Sequence, residues 1–114
     1  MRDGRPSVAI GTPGGHTIGQ TVPQMLMNLI DFRLDIAQAI AAPRISFVEP
    51  DVLAVETGIS ERVRKELEAM GHKIQVVRGL GNGTGLTIEY DRSGRAVRFT
   101  GAADPRGQGR AIGY

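Results

Sequence analysis

The sequence has no cysteine and no tryptophan, and aromatic residues make up only 4% of its 114 positions. Without cysteine there is no disulfide and no thiolate metal site, and the redox compartment stays open. With few aromatics there are few platforms on which nucleic-acid bases could stack. The late arginines Arg92, Arg95, Arg98, Arg106 and Arg110 therefore read as a solvated edge, and no nucleic-acid partner is expected. No apolar run approaches the roughly 18 residues of a membrane span. The N-terminus also lacks the apolar core of a signal peptide, so nothing in this stretch is expected to direct export or membrane insertion.

The length suits one domain, residues 1–114, able to bury roughly 65% of its extended-chain surface. An apolar share of 40% is modest but far from a disordered composition. Sixteen glycines stand out. They gather at 11–19, 79–85 and 101–113, which marks turns and not a repeat.

Asp3-Gly4 is a hairpin signal followed by a strand over Ser7–Ile10. No strand precedes it, so the turn has one arm, and the reading expects residues missing upstream. The glycine turn Gly11-Thr12-Pro13-Gly14-Gly15 comes next. A helix follows, with Ile18, Val22, Met25, Leu26, Leu29 and Ile30 on one apolar stripe. Either Thr21 caps that helix or Pro23 kinks a longer one. A short helix over Asp35–Ala41 stops before Pro43. Strands are expected at Arg44–Val48 and Val52–Glu56.

Ser60 is the N-cap of a third helix, with Val63, Leu67 and Met70 buried and Gly71 as its stop. Glu61–Lys65 and Arg64–Glu68 are i,i+4 pairs on its outer side. Lys73–Val77, Leu86–Asp91 and Arg95–Thr100 complete the strands. Leu86, Ile88, Tyr90, Val97 and Phe99 are expected to face inward, and Asp91-Arg92-Ser93-Gly94 to form a hairpin turn. The tail from Gly101 reads as loop. This order implies a layered α/β (α+β) fold with a mostly antiparallel sheet.

The chemistry is concentrated at 11–18. Two consecutive glycines ahead of a helix present backbone N–H groups without side-chain obstruction, which suits a phosphate, a carboxylate or a developing oxyanion. A glycine turn that merely lets strand and helix pack explains the same residues. The second cluster, Gly79–Gly85, runs into a strand and not a helix, so it reads as a mobile connection and not a nucleotide loop. His16 borders the first turn and is a candidate substrate contact. His72 follows the stop at Gly71 and reads as structural. No ligand spacing indicates a metal, and no serine, histidine and aspartate order indicates a triad.

Taken in order, several stretches resemble the C-terminal part of the small subunit of gamma-glutamyltranspeptidases. They are Gly11-Thr12-Pro13-Gly14-Gly15, Gln20-Thr21, Asn28-Leu29-Ile30-Asp31-Phe32, Ala42-Pro43-Arg44-Ile45 and Val55-Glu56. Farther on come Leu67 to Lys73, Ala103-Asp104-Pro105-Arg106 and the closing Gly113-Tyr114. The resemblance implies part of the αββα sandwich of N-terminal nucleophile hydrolases. It also implies an activity: a self-cleaved precursor exposes a threonine that attacks a gamma-glutamyl amide, while its own α-amine takes the proton. The gamma-glutamyl group then passes from a glutathione-like donor to water or an amino acid, with no cofactor.

The family's oxyanion-hole glycines fall on Gly14 and Gly15, with Gly15 and His16 as substrate contacts. His16 departs from the small hydroxyl residue often found there. Asp104 and Arg106 match a family motif and read as structural. The nucleophile, its supporting threonine, the residues gripping the donor's α-amine and a serine pair have no counterpart here. The stretch is therefore expected to be inert alone, its partners being the nucleophile-bearing segment and the large subunit. A free-standing interaction module that kept the fold and lost catalysis is the alternative.

A strand that has lost its partner leaves an open edge, and open edges pair. The expectation is self-association, seen as a sedimentation coefficient that rises with concentration. A purely monomeric, cooperatively unfolding species would contradict it.

Overall fold

A computed structural model of the chain describes residues 1–113, so Tyr114 of the closing dipeptide lies outside the described residues. Among the described residues, six strands and three α-helices follow in the expected order: β1 (Val8–Gly11), α1 (Ile18–Ile30), α2 (Ile36–Ala41), β2 (Ile45–Val48), β3 (Val52–Glu56), α3 (Glu61–Ala69), β4 (Lys73–Val77), β5 (Thr84–Tyr90) and β6 (Ala96–Ala103). They form two three-stranded sheets. One has the order β1-β5-β6 and the other β2-β3-β4. All pairings are antiparallel except β3 with β4. That parallel pair needs a crossover, and residues 57–72, which contain α3, supply it.

Local chemistry accounts for most element ends. Asp35 and Gln38 form a reciprocal capping box at the start of α2, and Ser60 caps α3 through the Val63 N–H. Gly71, at φ 98, ends α3 in the left-handed region. The Asp3-Gly4 turn does have two arms, because Arg2 and Arg5 exchange backbone hydrogen bonds of 2.8 and 3.0 Å. α1 runs through Pro23. Thr21 lies inside it, fully buried, its hydroxyl donating to the Thr17 carbonyl at 3.0 Å, so it is not the cap.

Gln20 and Gln24, one turn apart on α1, each grip the outer edge of β2. The Gln20 side chain accepts from the Phe47 N–H and donates to its carbonyl. Gln24 does the same for Ile45. Two side-chain amides thus stand in for a neighbouring strand and close that edge. β1 remains an edge strand of its own sheet.

The apolar core gathers Met25, Ile36, Ile40 and Ala102, with Ile10, Val22 and Leu29 packed against it. It lies between α1, α2 and the β1-β5-β6 sheet. β5 and the residue leading into it approach closely because glycine stands where a side chain would collide: a Cβ on Gly83, just before β5, would meet Met25 Sδ at 2.7 Å, and one on Gly85 would meet Ile36 Cδ1 at 2.8 Å. Several expected inward residues point outward instead. Val97 and Phe99 are 54% and 61% exposed, and Met70 and Ile30 are exposed as well. Alternation correctly marked β6, but its outer face has nothing on it among the described residues. β6 also runs to Ala103, beyond the expected end. On α3, Glu61 pairs with Lys65 as expected, but Arg62–Glu66 forms in place of Arg64–Glu68.

The two sheets share no strand. A buried ionic cluster joins them. Arg44, at the head of β2, donates through its guanidinium to the Leu80 and Ile40 carbonyls, both at 2.6 Å. It also pairs with Asp104 just past β6, both side chains being fully buried. Asp104 further accepts from the Gly83 N–H at 2.8 Å, the Arg106 N–H at 2.9 Å and the Arg106 guanidinium at 2.9 Å. Glu56, at the end of β3, accepts from the Leu80 N–H at 2.6 Å, the Arg44 N–H at 2.9 Å and the Arg106 guanidinium. Arg106 closes the cluster at the C-terminal end of α2, on the carbonyls of Ile40 and of the capping residue Ala42, where the helix dipole favours a cation.

The four charges cancel, and almost every donor and acceptor is used; Arg44 Nε is the exception. Burial pushes the Glu56 carboxyl up. Hydrogen bonds from the Arg106 guanidinium and the Arg44 and Leu80 N–H groups outweigh it and hold the group below its ordinary range. Burial likewise pushes Asp104 up, and the Arg44 guanidinium, Arg106 and the Gly83 N–H bring it below its ordinary range.

Both carboxyls therefore bind a proton more weakly folded than unfolded. Their contribution is complete above the unfolded value near 4 and is lost as pH falls through the lower folded value. Thermal unfolding midpoints are expected to stay level from about pH 7 to 5 and to drop steeply below about 4. Asp104→Ala, which strands Arg44, is expected to cost about 3–5 kcal/mol. Asp104→Asn should start lower and show a shallower acid limb. An unchanged limb in Asp104→Asn would remove Asp104 as a source of the acid sensitivity.

Candidate functional site

The passage from β1 into α1 turns on four residues. β1 delivers Gly11, and Thr12-Pro13 carries the chain out of the sheet. Gly14 then takes φ 137 and ψ 21, and Gly15 takes φ 57. Both values lie where side-chain-bearing residues are strained. Gly15–Thr17 form a single 3₁₀ turn that feeds α1 directly. The Gly14 carbonyl accepts from the Thr17 N–H at 3.2 Å and the Thr17 hydroxyl at 2.7 Å.

Neither the Gly14 N–H nor the Gly15 N–H has a protein acceptor among the described residues. Both glycines and His16 are exposed. A Cβ on Gly15 would meet nothing within 4 Å, whereas one on Gly14 would meet Thr17 Oγ1 at 2.4 Å. Two unobstructed amide donors thus sit in succession at the head of a helix, where its dipole adds positive potential. Such an arrangement can hold an anion or a charge developing on a carbonyl oxygen.

The second glycine cluster lies behind the first. Its backbone is tied at three points, which does not fit the mobile connection expected from its composition. The Leu80 N–H donates to Glu56, the Gly83 N–H to Asp104, and the Asn82 N–H to Thr12 Oγ1 at 2.8 Å. Gly81, at φ 73, makes the bend; a Cβ there would meet Thr12 Oγ1 at 2.8 Å. The sequence reading did not single out Thr12, Arg44 or Glu56. A signal was available: each lies inside a motif already quoted, and Arg44 and Glu56 are charges set in otherwise apolar strands. Asp104 and Arg106, read as structural, are members of the buried cluster. His72 is exposed just past α3. Among the described residues no group of three or more histidines, aspartates or glutamates is placed to hold a metal.

The chain and its fold have counterparts. The gamma-glutamyltranspeptidase family model matches residues 1–114. The glutathione hydrolase proenzyme of Escherichia coli is 37% identical over 107 residues, covering 93% of this chain and 18% of that protein. Its Pseudomonas aeruginosa counterpart is 35% identical over 112 residues, covering 95% of this chain and 19% of that protein. A solved Helicobacter pylori gamma-glutamyltranspeptidase has a TM-score of 0.85 at 31% identity, over 94% of this chain and 57% of that one. The chain thus spans about a fifth of the length of the curated relatives it matches. The structural neighbours are N-terminal nucleophile hydrolases, which accounts for the mixed α/β layers and the antiparallel pairings. A match that runs the whole length of the chain, in sequence and in fold, is decisive: the chain belongs to the gamma-glutamyltranspeptidase family.

Proposed function

We propose that this chain supplies the oxyanion-stabilising turn of a gamma-glutamyl transfer site. The observation that carries the reading is the pair of free, exposed N–H groups of Gly14 and Gly15 at the head of α1. A nucleophilic oxygen from outside this stretch attacks the donor's gamma-carbonyl carbon. The carbonyl π pair moves onto oxygen, and the two N–H groups take up the charge. The nucleophile's own α-amine takes its hydroxyl proton and returns it to the leaving nitrogen, so collapse expels the amine and leaves a gamma-glutamyl ester, which water or an amino acid then cleaves. His16, exposed beside the glycines, is proposed as a contact to the donor.

The stretch needs that outside nucleophile. Thr12, Thr17 and Thr21 are internal, and their hydroxyls are all engaged in hydrogen bonds. The shape supports a role alongside further protein. The radius of gyration is 16.1 Å, against about 13 Å for a compact domain of this length. Met27, Phe32, Val97 and Phe99 are left half or more exposed.

Two measurements test the proposal. The purified chain is expected to show no turnover of a chromogenic gamma-glutamyl anilide, and enzyme-specific turnover would contradict its dependence on a nucleophile from elsewhere. The chain is then exchanged for the matching segment of the Escherichia coli glutathione hydrolase. In that chimera Gly14→Ala must reshape the turn, because its Cβ would meet Thr17 Oγ1 at 2.4 Å. A misaimed donor is expected to lower kcat by about 10²–10³ with KM within a few-fold. Gly15→Ala, strained only through its φ, should fall between Gly14→Ala and the unmutated chimera. Gly11→Ala is the control, since a Cβ there meets nothing within 4 Å, and it should leave kcat unchanged. A folded Gly14→Ala chimera with full kcat would make these glycines structural only.

A further inference from the structure

Each N–H of the proposed oxyanion turn belongs to a peptide unit whose carbonyl oxygen is held by a threonine hydroxyl. The Gly14 N–H shares its unit with the Pro13 carbonyl, which accepts from Thr12 Oγ1 at 3.0 Å. The Gly15 N–H shares its unit with the Gly14 carbonyl, which accepts from Thr17 Oγ1 at 2.7 Å. A peptide unit is planar and trans, so its C=O and N–H point in opposite directions. Holding the oxygen therefore aims the hydrogen.

Aim is the scarce quantity here. Glycines at φ 137 and 57 have no side chain to stop a peptide plane from rotating. An oxyanion hole works only if its donors already point where charge will develop. The two hydroxyl bonds supply that constraint, the Gly14 carbonyl being held in addition by the Thr17 N–H at 3.2 Å. They also withdraw electron density through each peptide unit, so that its N–H becomes a stronger donor.

The threonines are themselves placed from different sides. Thr17 is half-buried at the entrance to α1. Thr12 Oγ1 accepts the Asn82 N–H at 2.8 Å. A hydroxyl has a single proton, so with Asn82 as its donor, Thr12 has that proton free for the Pro13 carbonyl. Asn82 sits between Leu80 and Gly83, which the buried carboxylates Glu56 and Asp104 hold. The aim of the Gly14 N–H thus traces back through Thr12 to the ionic cluster, while that of Gly15 depends on the helix.

We infer that Thr12 and Thr17 are paired positioning residues that aim and polarise the Gly14 and Gly15 N–H groups. The inference rests on the oxyanion reading proposed above. Neither threonine is assigned a contact with substrate; each acts through the peptide unit it holds.

The test uses the same chimera. Thr12→Val and Thr17→Val keep the side-chain outline and delete the hydroxyl. Each is expected to lower kcat about 5-fold, the effect of one lost hydrogen bond, with KM within about two-fold of the parent. Thr12→Ser and Thr17→Ser keep the oxygen and should recover most of kcat. A merely structural role would move the thermal midpoint and spare the kcat of the folded enzyme. Folded valine variants with full kcat, or serine variants as slow as the valine ones, overturn the inference. Gly14→Ala separates the two readings. If it slows the chimera and the valine variants do not, only the threonine assignment fails; if all three keep full kcat, the oxyanion reading has failed first. Should a valine chimera not fold, NMR of this chain decides. The Gly14 amide proton should move upfield in Thr12→Val and the Gly15 amide proton in Thr17→Val, and unmoved resonances overturn the inference.

Discussion

The ion pair between Arg44 and Asp104 is the contact on which the rest of this structure depends. It joins the head of β2 to the end of β6, and so links two sheets that have no strand in common. Burying two charges is costly unless mutual attraction and hydrogen bonds make up for the lost water. Here Glu56 and Arg106 complete a neutral set of four charges, and main-chain groups of α2 and of the 79–83 loop fill most remaining valences. An apolar contact of similar volume could hold the sheets together. It could not specify their register, because apolar surfaces slide and a guanidinium fork does not.

That specification reaches the exposed glycine turn by a short route. The carboxylates of the cluster hold the Leu80 and Gly83 amides, the loop between them presents the Asn82 amide to Thr12, and Thr12 immediately precedes Pro13-Gly14. The two glycine-rich segments are therefore parts of one construction. The first offers donors to solvent, and the second braces it from behind. Glycine serves a different purpose in each. Gly14 and Gly15 take backbone angles that side-chain-bearing residues rarely adopt, whereas Gly83 and Gly85 leave room for Met25, Ile36 and Ile40.

The outer faces tell a complementary story. Gln20 and Gln24 shield the β2 edge, but β6 turns Val97 and Phe99 outward, and the end of α1 leaves Ile30 exposed. A buried ionic cluster thus sits beside a small apolar core while large apolar side chains remain outside, which an isolated small domain would be expected to cover. The relatives are about five times as long as this chain. Membership of their family and an elongated, partly apolar surface agree with each other.

Much of the fold was legible along the chain. The order of strands and helices, the Ser60 cap, the Gly71 stop and the Gly14–Gly15 turn all follow from signals within a few residues, because periodicity, capping and left-handed φ are local physics. The ordered motifs pointed to the family, and they already contained Arg44, Glu56, Asp104 and Arg106. Their convergence was not legible. Residues 60 apart form one ion pair only because two sheets bring them together, and no local pattern encodes that. Alternation marked Val97 and Phe99 as one face of a strand but could not say whether anything lies against that face. The sequence by itself determined the elements, most of their ends, the glycines free to turn and the threonines within one to three residues of the peptide units they hold; tertiary structure alone decided which charges meet, which apolar faces stay open and which amide orients Thr12, since each depends on contacts between segments distant along the chain.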